Sequence, residues 1–325
     1  MIYCKCKRFA TRRMNMKKIL LPIFILFTII LLTGCTTEQT ADIVATMFPG
    51  YDFASHIVGD KMTVSQIIPA GAEVHEYEAT SQDLVSIKEA KLFIFTSQDI
   101  DTWIETPETI GGTDTIVMDL SQNYTHVEYP YPTNFNTDEI QANTIHFWTD
   151  PANTVQLIQA ILENIVLIDP DNEAFYRQNA ENYIAEINNL SQEIFDFFTT
   201  DTYLGSIIYF AGHNAFGSFA ARYGLHVVPL FQEFKPDADL TSNELITFTN
   251  EVKAAGTHYL FIEDLELPKA ADTIKAQLLL ENYDLTLLKL YAFENISKTD
   301  FEGHVTYLDL LGRNFSQLQI ALVTL

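Results

Sequence analysis

Three histidines in this chain stand where imidazole could meet a metal ion. His75 lies in GAEVHEYE, after the second β-type run. His146 lies in NTIHFWTDP, just ahead of a helix start. His213 lies in YFAGHNAFG, at a strand-to-helix turn. Neutral imidazole is the commonest side-chain ligand for metals. In open α/β sheets, ligand sites lie beyond the carboxyl ends of strands. Each of the three occupies a loop of that kind, two in the first half of the chain and one in the second. They are therefore expected to converge on a cleft between two lobes. The other five histidines, His56, His126, His226, His258 and His304, lack that context. No His-Glu-x-x-His or comparable catalytic motif is present, which weighs against a zinc hydrolase.

The element that must hold the two halves is the stretch Asp169 to about Thr199. Asp169 offers an N-cap oxygen, Pro170 fits a first helical turn, and neither Gly nor Pro follows. Apolar residues recur at Phe175, Ala180, Ile184, Ile187, Leu190, Ile194 and Phe197, a helical stripe. Such a rod would span about 42 Å, the width of a domain. Strands are expected at Ile43–Thr46, Val64–Ile68, Leu92–Thr96 and Thr115–Met118 before it. After it they are expected at Ile207–Phe210, His226–Pro229, Tyr259–Glu263 and Leu285–Leu290. Helices alternate with them: Tyr51–Val58, Ser81–Ala90 capped by Ser81, Asp150 to about Leu167, Asn214–Tyr223, Thr241 to Gly256 and Tyr307–Val323. Strand–helix alternation favours parallel sheets with helices on their faces. The fold class is thus α/β, two Rossmann-like lobes with central parallel sheets joined by one long rigid helix. The domains are 41–168, an N-terminal lobe; 169–199, the connecting helix; and 200–325, a C-terminal lobe. An ordinary surface helix in one large domain is the alternative. Residues 121–143, SQNYTHVEYPYPTNFNTDEIQAN, form a long helix-poor insertion.

Residues 1–35 read as a targeting segment. Lys17 and Lys18 precede an apolar run, Ile19 to Leu32, short for a membrane span and suited to a signal-peptide core. The run ends in Leu32-Thr33-Gly34-Cys35, which resembles the bacterial lipobox. The resemblance implies cleavage before Cys35 and a lipid on its sulfur. Met14 and Met16 offer alternative starts. The only other cysteines, Cys4 and Cys6, lie upstream, so the mature chain has no disulfide and rests on its core. Residues 1–34 carry seven basic and no acidic residues, leaving 12 basic against 43 acidic, net −31, in the mature chain. That balance argues against nucleic acid and raises the local cation concentration.

Taken together, these segments resemble the metal-binding solute-binding lipoproteins of ABC importers, the TroA-like group, and within it the zinc branch. The resemblance rests on ATMFPGYDFASHIVGDK, the Gly71–Glu78 loop, IHFWTDP, IDPDNEAFY, FAGHNAFGSFAARYGL and TYLDLLGRNFSQL. It implies two α/β lobes, a rigid helix, and a metal in the cleft held by His75, His146, His213 and a carboxylate of the second lobe. Where the family loop often reads Pro-His-x-Tyr-Glu-Pro, this chain has Val74 before His75 and Ala79 after Glu78. The insertion, often His-rich in zinc relatives, offers only His126. For the fourth ligand, Glu294 in YAFENIS stands where some zinc members place a Glu; Asp284, Asp300 and His304 are rivals. Glu263 and Asp264, at the end of a strand, are candidates for supporting the ligands from behind. Three imidazoles and a carboxylate suit Zn²⁺, whereas Mn²⁺ prefers more oxygen. The resemblance implies a protein that is no enzyme, lipid-anchored outside the cell membrane, that passes Zn²⁺ to a membrane permease; a monomer is expected. A manganese or iron carrier is the alternative within the family. Adhesion, linked to some relatives, has no independent support in the sequence.

Overall fold

The computed structural model describes residues 40–125, 144–200, 202–231, 240–265 and 268–323. Cys35 and the targeting segment, His126 and most of the 121–143 insertion lie outside the described residues. Residues Ala41–Leu325 form one compact unit.

Two four-stranded, wholly parallel sheets organise that unit. The first comprises β1 (Ile43–Ala45), β2 (Val64–Gln66), β3 (Leu92–Phe95) and β4 (Ile116–Asp119), in the order β2-β1-β3-β4. The second comprises β5 (Ile207–His213), β6 (His226–Phe231), β7 (Tyr259–Glu263) and β8 (Thr286–Leu290), in the order β6-β5-β7-β8. The lobes thus share one topology without a sequence repeat. Strand β3, LFIF, is buried at every position, as expected for a parallel strand covered on both faces. In each sheet the order reverses beside the first strand, between β1 and β3 and between β5 and β7. A crevice opens at such switch points, outside the carboxyl ends of the strands.

Ten helices flank the sheets among the described residues. In the first lobe, α1 (Phe48–Val58), α2 (Ser81–Glu89), α3 (Pro107–Ile110) and α4 (Pro151–Ile168) occur. The connecting helix is α5 (Glu173–Phe198). The second lobe has α6 (Gly217–Tyr223), α7 (Ser242–Ala254), α8 (Lys269–Leu280), α9 (Lys298–Glu302) and α10 (Tyr307–Val323). The capping boxes differ from expectation at one place. Thr80, not Ser81, caps α2, because its hydroxyl accepts from the Asp83 N–H while Asp83 reaches back. At α7 the expected Thr241–Glu244 box forms. Helices α3, α8 and α9 have no counterpart in the sequence reading; α3 and α9 are only four and five residues long.

Helix α5 runs 26 residues, about 39 Å. Its start is later than its sequence implies. Asp169 closes α4, a 3₁₀ turn covers Pro170–Asn172, and the Asp169 carboxylate accepts from the Tyr176 hydroxyl and Asn172 amide instead of capping α5. The buried stripe is also rotated: Tyr176, Ala180, Tyr183, Ile187, Ile194 and Phe198 are buried, while Phe175 is exposed. The two tyrosines are buried because their hydroxyls find carboxylates, Tyr183 donating to Asp52 at 2.6 Å. The first half of α5 grips the first lobe, with Asn179 donating to the Ile57 carbonyl at 3.0 Å. Its second half grips the other lobe, with Ser191 2.8 Å from the Tyr223 hydroxyl and Phe198 packed near Phe315.

Candidate metal centre

The second-lobe part of the site grows from the β5/β7 switch point. Strand β5 continues to His213, past the Phe210 end that the sequence implied, with its register against β6 shifting between these residues. Strand β7 ends at Glu263 beside it. Glu263 Oε1 accepts from the His213 backbone N–H at 2.6 Å and lies 2.8 Å from Nδ1. This approach needs Gly212, where a Cβ would stand 2.3 Å from the same oxygen. With Nδ1–H held by Glu263, Nε2 is aimed away from the strand and into the cleft.

His146 comes from the first lobe. It sits in a 3₁₀ segment, Thr144–Thr149, at a non-helical kink with φ −95° and ψ 46°. The next turn is tied down from three sides. Trp148 Nε1 donates to the Ala292 carbonyl at 3.0 Å, Tyr307 donates to the Trp148 carbonyl at 3.0 Å, and Arg222 forks onto Asp150 at 2.8 and 2.7 Å. Arg222 is buried, and this bidentate pair joins α6, just after His213, to the N-cap of α4, just after His146. The sequence reading missed this pair and the Trp148 anchor; a single arginine inside the apolar run FGSFAARYGL was the available signal.

His75 arrives on the loop after β2. Glu294 arrives after β8, presented by Phe293, whose φ of +63° is in the left-handed region that a bulky residue rarely adopts. All four side chains meet. Glu294 Oε1 is 2.8 Å from His146 Nε2 and 3.2 Å from His213 Nε2; its Oε2 is 3.4 Å from His75 Nε2. The His146 and His213 Nε2 atoms are 3.1 Å apart. A tetrahedral set about 2.0 Å from a zinc ion has donor–donor edges of about 3.3 Å. These separations, 2.8 to 3.4 Å, lie around that figure, and one donor atom from each of the four residues lies within 4.8 Å of the others. The three imidazoles are buried, His213 at 1% exposure.

The rivals for the fourth position are placed elsewhere. The Asp300 carboxylate accepts from the hydroxyl of Ser297, the N-cap of α9, and pairs with Arg313 at 3.0 Å. The Asp284 carbonyl accepts from His258 at the opposite end of β8. His304 is an exposed residue at the end of α9. Asp264 lines a cleft of about 160 Å³ with Glu73, Glu263, Glu294 and Asn295. Burial, with Glu294 and Glu263 nearby, pushes its carboxyl up to about 7.

Glu294 favours the charged form of two of the imidazoles, while burial keeps the third neutral. Burial disfavours the His213 imidazolium, yet Glu294 and Glu263 outweigh it and push the group up to about 10. Burial likewise opposes, and Glu294 overcomes, a raised His75. For His146 burial wins and holds it down to about 4. Burial would raise Glu294, but His75 and His213 bring it well below the carboxylate range. The His213–carboxylate attraction thus stabilises the metal-free protein fully below the ordinary histidine value of 6.5 and is lost as pH rises through about 10. A metal takes neutral imidazole, so loading must expel that proton. At pH 7.5, zinc loading is expected to release protons and affinity to rise with pH. Calorimetry in two buffers of unlike ionisation enthalpy reads this; a buffer-independent heat would contradict it.

Two parallel α/β lobes on one long helix, with ligand-type side chains converging between them, define a two-lobed metal-binding protein. A model of the family described as zinc-uptake complex component A, periplasmic (ZnuA), matches residues 43–321, and the chain belongs to this family. It is 26% identical over 287 residues to the high-affinity zinc uptake system protein ZnuA of Bacillus subtilis (strain 168), covering 86% of this chain and 87% of that one. It is 24% identical to the zinc-binding lipoprotein AdcA of Streptococcus pneumoniae (strain ATCC BAA-255 / R6) over 94% of this chain, but spans only 61% of AdcA. The crystal structure of the Zn(II)-bound ZnuA-like domain of Streptococcus pneumoniae AdcA has the same fold. Its TM-score is 0.69 at 22% identity, covering 87% of this chain and 99% of that domain.

Proposed function

We propose that this chain is an extracytoplasmic solute-binding lipoprotein that captures Zn²⁺ between its lobes and delivers it to the membrane permease of an ABC-type importer. The observation that carries the reading is the convergence of His75, His146, His213 and Glu294, drawn from both lobes, with one donor atom of each within 4.8 Å of the others. Three borderline nitrogens and one oxygen favour zinc over manganese. Four protein donors also occupy the position that a catalytic zinc keeps for water, so the reading is of a carrier and not a hydrolase. The moving bodies are the lobes 41–168 and 200–325 on the helix 169–199. The carrier acts as a monomer, held at the membrane by lipid on Cys35; a single acyl chain binds only marginally, so multiple acylation of that cysteine matters. Cargo contacts both lobes, so binding draws them together with modest amplitude and release reverses the motion.

The test is uptake in a bacterial host lacking its own zinc-binding component but retaining the permease. The full chain is expected to sediment with membranes and to restore growth under zinc limitation. Cys35→Ala should accumulate as precursor or leave the membrane, and His213→Ala should stay in the membrane and fail to restore growth. A wholly soluble parent protein would count against the anchor. Restoration by His213→Ala would count against the carrier.

A further inference from the structure

Asn295, the residue after Glu294, faces the first lobe and is only 3% exposed. Its side chain is fully engaged. Nδ2 donates to the Pro69 carbonyl at 2.8 Å and to the Ala72 carbonyl at 3.0 Å. Oδ1 accepts from Gln66 Nε2 at 3.0 Å and from the Ile296 N–H at 2.9 Å. Pro69 and Ala72 are the ends of one tight turn: the Ala72 N–H donates to the Pro69 carbonyl at 3.0 Å and Gly71 between them has φ +80°. A turn with its third residue in that region is of type II and requires glycine there. The turn leads directly to His75. One amide of the second lobe therefore holds both ends of the turn that feeds a ligand loop of the first.

This arrangement differs from that of the other histidines. His213 is oriented by Glu263 within its own lobe. His146 follows a backbone tied through Trp148 and Asp150. The Pro69–Ala72 turn is gripped by the neighbour of Glu294, so the carboxylate and the His75 loop share one attachment. Phe293, on the other side of Glu294, is in a left-handed conformation and buried against Tyr307, with ring centroids 4.5 Å apart. The segment 293–295 is thus a strained finger inserted across the lobes: Phe293 aims it, Glu294 reaches the imidazoles, and Asn295 catches the turn.

We propose that Asn295 is a positioning residue that closes the centre: its clasp on the Pro69–Ala72 turn seats His75 against the metal and sets how slowly the metal leaves. The proposal rests on the zinc-carrier reading. Breaking the clasp frees Glu294 and the His75 loop together, which provides a route for release when the lobes are drawn apart. Removing groups that orient metal ligands commonly costs roughly 10- to 100-fold in metal affinity. The loss is expected in the off-rate, because the clasp forms only once the lobes have met.

The test uses the full mature chain loaded with Zn²⁺ or Co²⁺. Asn295→Ala is expected to release zinc to excess chelator roughly 10- to 100-fold faster than the parent, in line with the loss of an orienting group. Its Co²⁺ bands in the visible should lose intensity as water replaces His75, which a general loss of stability would not produce. Asn295→Asp should behave alike, because it keeps the acceptor for Ile296 and loses both donors to the turn. Thr241→Ala removes the cap of α7, away from the turn and the ligand segments, and should match the parent in both readouts. Parent-like release and cobalt spectrum in Asn295→Ala, with zinc binding by the parent intact, would overturn the clasp and leave the carrier reading standing. A parent that binds neither metal would overturn both. If the Asn295 variants do not fold, hydrogen exchange on the parent decides. Amides of 70–78 and 294–296 should slow together on loading, and independent exchange would overturn the proposal.

Discussion

Zinc added to chelator-stripped protein is expected to raise its melting temperature by roughly 8 °C or more. A ligand that binds only the native state stabilises it by about 4 kcal/mol at a thousandfold excess over its dissociation constant. In a chain of this size each kcal/mol moves the midpoint by about 2 °C or slightly more. The geometry makes the dependence on native structure strict. The donors come from four separate segments, around residues 75, 146, 213 and 294, so an unfolded chain cannot present them together. Loading must displace protons from imidazoles that Glu294 holds above the ordinary histidine range, so the gain should grow as pH rises. Reductant should leave both midpoints unchanged, since no cysteine follows Cys35. Scanning calorimetry with and without zinc reads the shift. Coincident transitions would count heavily against a native-state metal site.

What the sequence discloses of this arrangement follows physical lines. The three histidines were legible because each sits at a junction between a strand or turn and a helix start, where an open α/β sheet exposes side chains to its crevice. Strands such as β3, LFIF, were legible because buried parallel strands read as apolar runs; β2, VSQ, is half-buried and carries little of that signal. The connecting helix was legible in its existence but not in its first turn or its buried face. Asp169 had a better partner in Tyr176 than in a cap, and Tyr176 and Tyr183 bury their rings by giving their hydroxyls to Asp169 and Asp52. No periodicity argument scores a tyrosine for a carboxylate more than a hundred residues away, as with Tyr183 and Asp52. Glu294 competed with Asp284, Asp300 and His304 because its delivery depends on the left-handed backbone of Phe293, which no local signal announced. Asn295 carried no signal and Arg222 only that of a lone arginine in an apolar run, for a related reason. Their partners lie in the other lobe, and what makes each of them matter is the meeting of two segments far apart in the chain.

The second large effect is on affinity, and it falls on the histidines. Outer groups that orient a ligand cost up to about 100-fold when removed, so loss of a ligand itself should exceed that. His75→Ala, His146→Ala and His213→Ala are each expected to weaken zinc binding by more than about 100-fold, beyond that range for orienting groups. Glu294→Ala should cost less than a histidine but clearly more than His56→Ala, His226→Ala or His258→Ala, which should match the parent. His213→Glu should move preference towards Mn²⁺, because a hard oxygen replaces a borderline nitrogen. Within this panel one measurement bears most directly on the interlobe centre: titration calorimetry of zinc into His213→Ala beside the parent. His213 is the one imidazole supplied by the second lobe, at the end of β5. Its removal is expected to abolish tight binding while the variant keeps its fold. Zinc binding as tight as the parent's in His213→Ala would contradict it.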